Sequence, residues 1–196
     1  MTVTPASDDG NGDSGDKAAL RPGLLAARRG IVADRDRDTD DAALAQRVLE
    51  LVHELGLTAG STVAAYEAMR TEPPTAATLS ALAAHGIRVL VPITLPDNDL
   101  DWCDAADGRR MPLGPDAVSA AGLVLAPGLA ADTGGTRLGR GGGSYDRALL
   151  RRGAGSRIVV VLHPGEVRDV RAAPLPRDAH DLPVDGVLTV DGTTWF

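Results

Sequence analysis

Between residues 126 and 150 the sequence reads APGLAADTGGTRLGRGGGSYDRALL, and its residue types suit the holding of a polyphosphate. Gly139, Gly141, Gly142 and Gly143 leave main-chain N–H groups uncrowded by Cβ atoms, so an anion can approach the backbone closely. Arg137 and Arg140 add forked, permanently charged donors that match phosphate oxygens. The loop follows an apolar stretch, GLVLA, and leads into a helix predicted from Tyr145, whose N-terminus contributes partial positive charge. Asp146 stands in the first turn of that helix. No Gly-Lys-Ser/Thr follows the glycines, which excludes a Walker P-loop, and Ser144 occupies the last glycine position of a GxGxxG dinucleotide fingerprint. Lys17 is the single lysine in a chain with nineteen arginines, an exception that a coding bias toward arginine does not explain.

These residues need elements to position them. Residues 1–16 are rich in Asp, Gly and Ser, carry no basic residue and lack large apolar groups, so a disordered acidic tail is expected there. From Lys17 the pattern becomes helical, with a helix that either starts at Pro22 or kinks there. Asp38 to Asp41 are expected to cap a helix carrying Leu44, Val48, Leu51 and Leu55, stopped by Gly56. Thr75 is expected to cap a further helix that Gly86 closes. Strands are predicted at 62–66, 88–93, 122–126, 157–162 and 184–190, each a short apolar run. Apolar strands alternating with helices imply one α/β domain over residues 17–196, three layers deep, with a mostly parallel central sheet. The polar, turn-rich stretch Pro96–Pro115 is expected to loop over the sheet edge.

Composition narrows the function class. The net charge of −7 argues against a nucleic-acid binder or a basic membrane-surface protein, and no apolar run approaches the ~20 residues of a membrane-spanning helix. The N-terminus shows no secretory pattern, so a cytoplasmic protein is expected. Aromatic residues make up only 3% of the chain, which leaves Ala, Leu and Val to build the core. Cys103 is alone and is read as a semi-buried packing residue; His53, His85, His163 and His180 have no ligand-like spacing and are read as structural or exposed.

The string GTRLGRGGGSYDRAL resembles the signature of the 5-formyltetrahydrofolate cyclo-ligase family, and the resemblance extends from Lys17 to about Val190. It implies an enzyme that uses ATP and Mg²⁺ to convert 5-formyltetrahydrofolate to 5,10-methenyltetrahydrofolate, acting as a monomer or weak homodimer. By the same resemblance, Lys17 and Arg21 reach the ATP phosphates, and residues Arg137, Leu138, Gly139, Arg140, Gly141, Gly142, Gly143, Ser144 and Tyr145 wrap the nucleotide. Arg140 and Tyr145 are the expected catalytic groups, with residues 140–144 also bordering the formyl group. In AAYEAMRTEPPT, Glu72 is the candidate for the pterin ring, with Glu67 nearby; Asp146 and, in HDLPVDGVLT, Asp181 are the implied magnesium ligands. The chain departs from the family pattern at Ser144, where a tyrosine is usual, at Ala131, where phenylalanine is usual, and in an abbreviated segment 96–115. Two other readings use the same phosphate site: a homologue that holds ATP or folate without turnover, and an ATP-dependent enzyme acting on another small acid.

Overall fold

The computed structural model of the protein describes residues 12–178 and 181–196. Helix α1 covers Gly12–Ala33, α2 covers Arg37–Glu54, and strand β1 follows at Thr62–Ala64. Then come α3 (Ala76–Ala84), β2 (Arg88–Thr94), β3 (Leu100–Asp104), a 3-10 helix (Pro115–Ala120) and β4 (Leu123–Pro127). Two short strands, β5 (Ala130–Asp132) and β6 (Arg137–Leu138), lead through the glycine loop into α4 (Ser144–Leu150). Strands β7 (Arg157–Val161), β8 (Val167–Arg168), β9 (Gly186–Thr189) and β10 (Gly192–Trp195) complete the chain.

The central sheet has seven strands in the order β10-β9-β7-β4-β1-β2-β3. Its five inner strands are parallel, and β10 and β3 run antiparallel at the two edges. Side chains alternate across the sheet, and two separate cores result. Val63, Val89, Val91, Leu123, Leu125, Val159 and Leu188 face Leu44, Val48 and Leu51 of α2 and Leu82 of α3. Ala64, Leu90, Val124, Ile158, Val160 and Val187 face Ala148 and Leu149 of α4 and Val118 of the 3-10 helix. These are the three layers expected from the sequence. Helix α1 stands apart from them: Leu20 and Leu24 pack on Ala130, Leu138 and Leu175, beside a small second sheet of order β6-β5-β8.

Several local expectations need correction. Helix α1 begins at Gly12, so the expected tail boundary at residue 16 falls inside a helix; residues 1–11 lie outside the described residues. The helix runs through Pro22 and so does not start there. The α2 cap is Asp36, whose carboxylate accepts the Thr39 N–H at 2.7 Å, in place of Asp38 to Asp41. Thr75 is the N-cap of α3, but its hydroxyl donates to the Tyr66 carbonyl at 2.7 Å instead of capping.

The stretch expected to loop over the sheet edge contains β3, which is itself the edge. A turn at 95–99, closed by Leu95 N–H on the Asp99 carbonyl at 2.9 Å, folds this segment back on β2. Leu100 and Trp102 then enter one core and Cys103 the other, so Cys103 is fully buried. Among the described residues no helix is long and apolar enough to cross a membrane.

Pro22 has no N–H to offer the Ala18 carbonyl, and both residues are exposed. Pro22→Ala is therefore expected to raise stability by about 1–3 kcal/mol, read from denaturant unfolding; an unchanged midpoint would show that the interruption costs the helix nothing.

Candidate active site

The sheet changes direction at β1. From β1 the chain builds outward to β2 and β3 on one side, while β4, β7 and β9 extend on the other. The loops leaving the carboxyl ends of β1 and β4 therefore part, which is where open α/β sheets leave a crevice for ligands. A cavity of about 390 Å³ lies there. Its walls come from Tyr66, Glu67, Met69 and Glu72 after β1, Pro92 and Thr94 at the end of β2, Leu100 at the start of β3, and the glycine loop with the first turn of α4.

Most of the expected residues meet at this cavity. Arg21, Glu67, Glu72, Arg137, Gly139, Arg140, Gly141, Gly142, Gly143, Ser144, Tyr145 and Asp146 all line it. Three do not. Leu138 is buried in the small core under α1, where it packs. Lys17 and Asp181 are ion-paired to one another, with Asp178 as a second partner of the lysine at 2.6 Å. Burial works against the Lys17 charge, but the hydrogen bonds to Asp178 and Asp181 outweigh it and hold the ammonium's pKa above its ordinary value. The structure thus does not bring Asp181 to the cavity beside Asp146. It sets Asp181 on Lys17, one helical turn from Arg21.

Arg21 is laid against the glycine loop. Its Nε donates to the Gly139 carbonyl at 3.0 Å. At Gly141 the backbone has φ +104°, and a Cβ there would sit 3.2–3.3 Å from three atoms of the Arg21 guanidinium. Only glycine fits both the conformation and the approach. Gly143, with φ +68°, precedes α4.

Arg137 is mostly buried and paired with Asp146; its Nη1 also donates to the Pro127 carbonyl at 3.1 Å, and its guanidinium lies 6.0 Å from the Tyr145 ring centre. Arg140 is exposed, with Nη1 3.2 Å from Met69 Sδ and 3.8 Å from Glu72 Oε1. Asp146 offsets Arg137, whereas Arg21 meets only a carbonyl and Arg140 has only the longer 3.8 Å contact with Glu72, so among the described cavity residues these two are the cations best placed to meet an anionic ligand.

Glu72 is buried, and its Oε2 accepts the Met69 N–H at 2.9 Å. The Tyr145 hydroxyl is buried without a hydrogen-bond partner among the described residues. Burial pushes its pKa up, with Arg137 offsetting only part, so the phenol stays protonated and available to a ligand.

Behind the cavity lies a polar network not anticipated from the sequence. Arg28 of α1 is 1% exposed and grips Glu166 with two bonds of 2.6 and 2.7 Å. Its Nη2 also donates to the carbonyl of Gly128, a cavity residue, at 2.5 Å. Glu166 accepts the His163 N–H at 2.9 Å, and His163 Nε2 lies 3.2 Å from the Thr71 carbonyl, next to Glu72. A carbonyl can only accept, so this contact is a hydrogen bond when Nε2 carries a proton. Asp132, fully buried, accepts the N–H groups of Gly134, Thr136 and Leu175 at 2.8–3.0 Å and sets the turn before β6. Arg28 is one of nineteen arginines and its partners are a hundred or more residues away, so no local signal marks it.

Residues 13–190 match the sequence model of the 5-formyltetrahydrofolate cyclo-ligase family. The chain belongs to this family. A 5-formyltetrahydrofolate cyclo-ligase of Mycolicibacterium smegmatis is 33% identical over 190 residues, which cover 88% of this chain and 93% of that one. The fold is shared with the 5,10-methenyltetrahydrofolate synthetase of Mycoplasma pneumoniae (TM-score 0.71, 21% identity, 89% of this chain and 99% of that one). It is also shared with the Aquifex aeolicus 5,10-methenyltetrahydrofolate synthetase solved by NMR (TM-score 0.64, 21% identity, 91% and 92%). In this cyclo-ligase family member the glycine loop that carries the sequence signature is thus also a wall of the cavity at the sheet's crevice.

Burial holds the His163 pKa below its ordinary value, despite the opposing pull of Glu166. The unfolded chain therefore takes up this proton more readily than the folded one. The contribution of His163 is complete above about pH 6.5 and is lost as pH falls toward the folded-state pKa. The unfolding midpoint is expected to drop between pH 7 and 5, and His163→Gln to remove most of that slope. Identical slopes in both proteins would contradict this assignment.

Proposed function

We propose that the protein converts 5-formyltetrahydrofolate to 5,10-methenyltetrahydrofolate with consumption of ATP, as its family membership and the arrangement of its cavity support. The observation that carries this reading is the junction at Arg140. One guanidinium stands between the glycine loop, suited to polyphosphate, and Glu72, a buried carboxylate suited to the paired N–H donors of an aminopyrimidine. ATP then occupies the glycine-loop end of the cavity, and the pterin ring lies toward β1 and β2.

In the reaction the formyl oxygen attacks the γ-phosphorus and ADP departs. N10 of the folate next attacks the formyl carbon. The C–O bond breaks with release of inorganic phosphate, N10 gives up its proton, and the methenyl bridge remains. No protein nucleophile is needed. The chain's task is to align the two ligands and stabilise charge on the transferring group, as is general for phosphoryl transfer.

Arg21 and Arg140 hold phosphate oxygens, the Tyr145 hydroxyl donates a hydrogen bond at the reacting centre, and Glu72 orients the pterin. Ser144 stands at the edge of the same loop, and Glu67 at the folate end. Asp146 is the carboxylate suited to a magnesium ion brought with the nucleotide, since Mg²⁺ is commonly held by one or two carboxylates together with substrate phosphates. The ion supplies neutralisation of phosphate charge. Asp146 would hold the ion by loosening its pair with Arg137, and Asp181 and Lys17 join the site only by giving up their own pair. Among the described residues no three acidic, histidine or cysteine side chains are grouped to hold a metal alone, in keeping with an ion that depends on the nucleotide. Use of ATP suits a cytoplasmic protein, and the proposed groups all belong to one chain, which suits a monomer or weak homodimer.

Purified protein given 5-formyltetrahydrofolate, ATP and Mg²⁺ is expected to form the methenyl product, followed by its absorbance, in equal amount to ADP. Arg140→Ala is expected to lower kcat/KM about 100-fold or more. ATP binding without folate binding would point to another small acid as substrate. Folate and ATP binding without either product would identify a homologue that has lost turnover.

A further inference from the structure

The folate end of the cavity has a cation at its mouth that belongs to neither the glycine loop nor the network behind it. Arg110 lies in the segment 105–114, between β3 and the 3-10 helix. Its Nη1 donates to Glu67 Oε1 at 2.9 Å and its Nη2 to the Pro92 carbonyl at 3.3 Å, and Glu67 and Pro92 both line the cavity.

The turn that presents Arg110 is tightly defined. The Asp107 carboxylate accepts the N–H groups of Arg109 and Met111, each at 2.9 Å. The Asp107 carbonyl accepts the Arg110 N–H at 2.9 Å. Arg110 itself has φ +50°, a conformation uncommon for any residue but glycine. The side chains of Arg110 and Glu67 are 45% and 54% exposed, so their pair is weak and open to exchange with another carboxylate.

This inference rests on the folate reading of the cavity. A reduced folate carries its formyl group near the pterin, and an aminobenzoyl unit joins the pterin to glutamate. With the aminopyrimidine held at Glu72 and the formyl-bearing N5 turned toward Arg140, the aminobenzoyl-glutamate arm leaves from the end of the pterin away from Glu72. The wall on that route is formed by Pro92, Thr94 and Leu100, two of them apolar and suited to the aminobenzoyl ring, and Arg110 stands on Pro92.

We propose that Arg110 is the carboxylate subsite for the glutamate end of the folate, with Glu67 occupying the guanidinium until that carboxylate replaces it. A forked guanidinium matches a carboxylate with two parallel bonds, which a lysine cannot reproduce.

The test is an equilibrium titration of the unaltered protein, Arg110→Ala and Arg110→Gly. The last keeps the positive φ of the turn without the side chain. Each is titrated with 5-formyltetrahydrofolate and with 5-formyltetrahydropteroate, which has the same ring system and no glutamate. Both variants are expected to bind the glutamate-bearing ligand about fivefold more weakly and the pteroate as the unaltered protein does. Equal weakening for both ligands would mean that Arg110 only shapes the loop, and no weakening would mean that it touches neither; each result overturns the proposal. If the unaltered protein binds neither ligand, the folate reading falls and this subsite falls with it.

Discussion

One face of helix α1 holds the site together. Lys17, Arg21 and Arg28 recur at intervals of four and seven residues, which places them on a single stripe, with Leu24 between the last two. Each cation clasps a different part of the chain: Lys17 the segment of Asp178 and Asp181, Arg21 the glycine loop, and Arg28 both Gly128 and Glu166. Leu20 and Leu24 seat the helix on the small sheet that feeds the loop. The loop itself contributes little to its own shape, since its glycines have no side chains to pack. Its conformation depends on what lies against it, and at Gly141 that is the Arg21 guanidinium.

This arrangement explains how an acidic protein can receive two anionic ligands. Its net charge of −7 would repel both ATP and a folate, so attraction must be local. Arg137 is cancelled by Asp146 and Arg28 by Glu166, and these pairs act as struts. Arg21 and Arg140 remain on the nucleotide side, and Arg110 stands at the far mouth. The buried ion pairs are best understood as positioning devices. Removing one partner would strand a charge in the interior, whereas the intact pair adds little net stability.

The central strands were legible because burial on both faces turns a parallel strand into an unbroken apolar run, as in RIVVV at Arg157–Val161. The glycine loop was legible because its chemistry is contained in a short contiguous string. Strand β3 was not, since its five residues, LDWCD, include two aspartates and are surrounded by turn formers; they become a strand only by pairing with β2. The family resemblance puts Lys17 at phosphate, yet it is paired with Asp181 across 164 residues of sequence. Long-range pairs of this kind leave no periodic trace, and the same holds for Arg28, Glu166 and His163. Leu138 was assigned to the nucleotide by its place in the signature, but the alternation of β6 turns it into the core beneath α1.

The central claim is that Arg21 and a loop without side chains together form the nucleotide's phosphate seat. Gly141→Ala tests it most directly, because the added methyl both opposes φ +104° and intrudes on the Arg21 guanidinium. ATP affinity, measured by equilibrium titration in the presence of Mg²⁺, is expected to fall at least about tenfold while the thermal unfolding of the rest of the protein stays cooperative. ATP affinity unchanged in a folded Gly141→Ala protein would contradict the account.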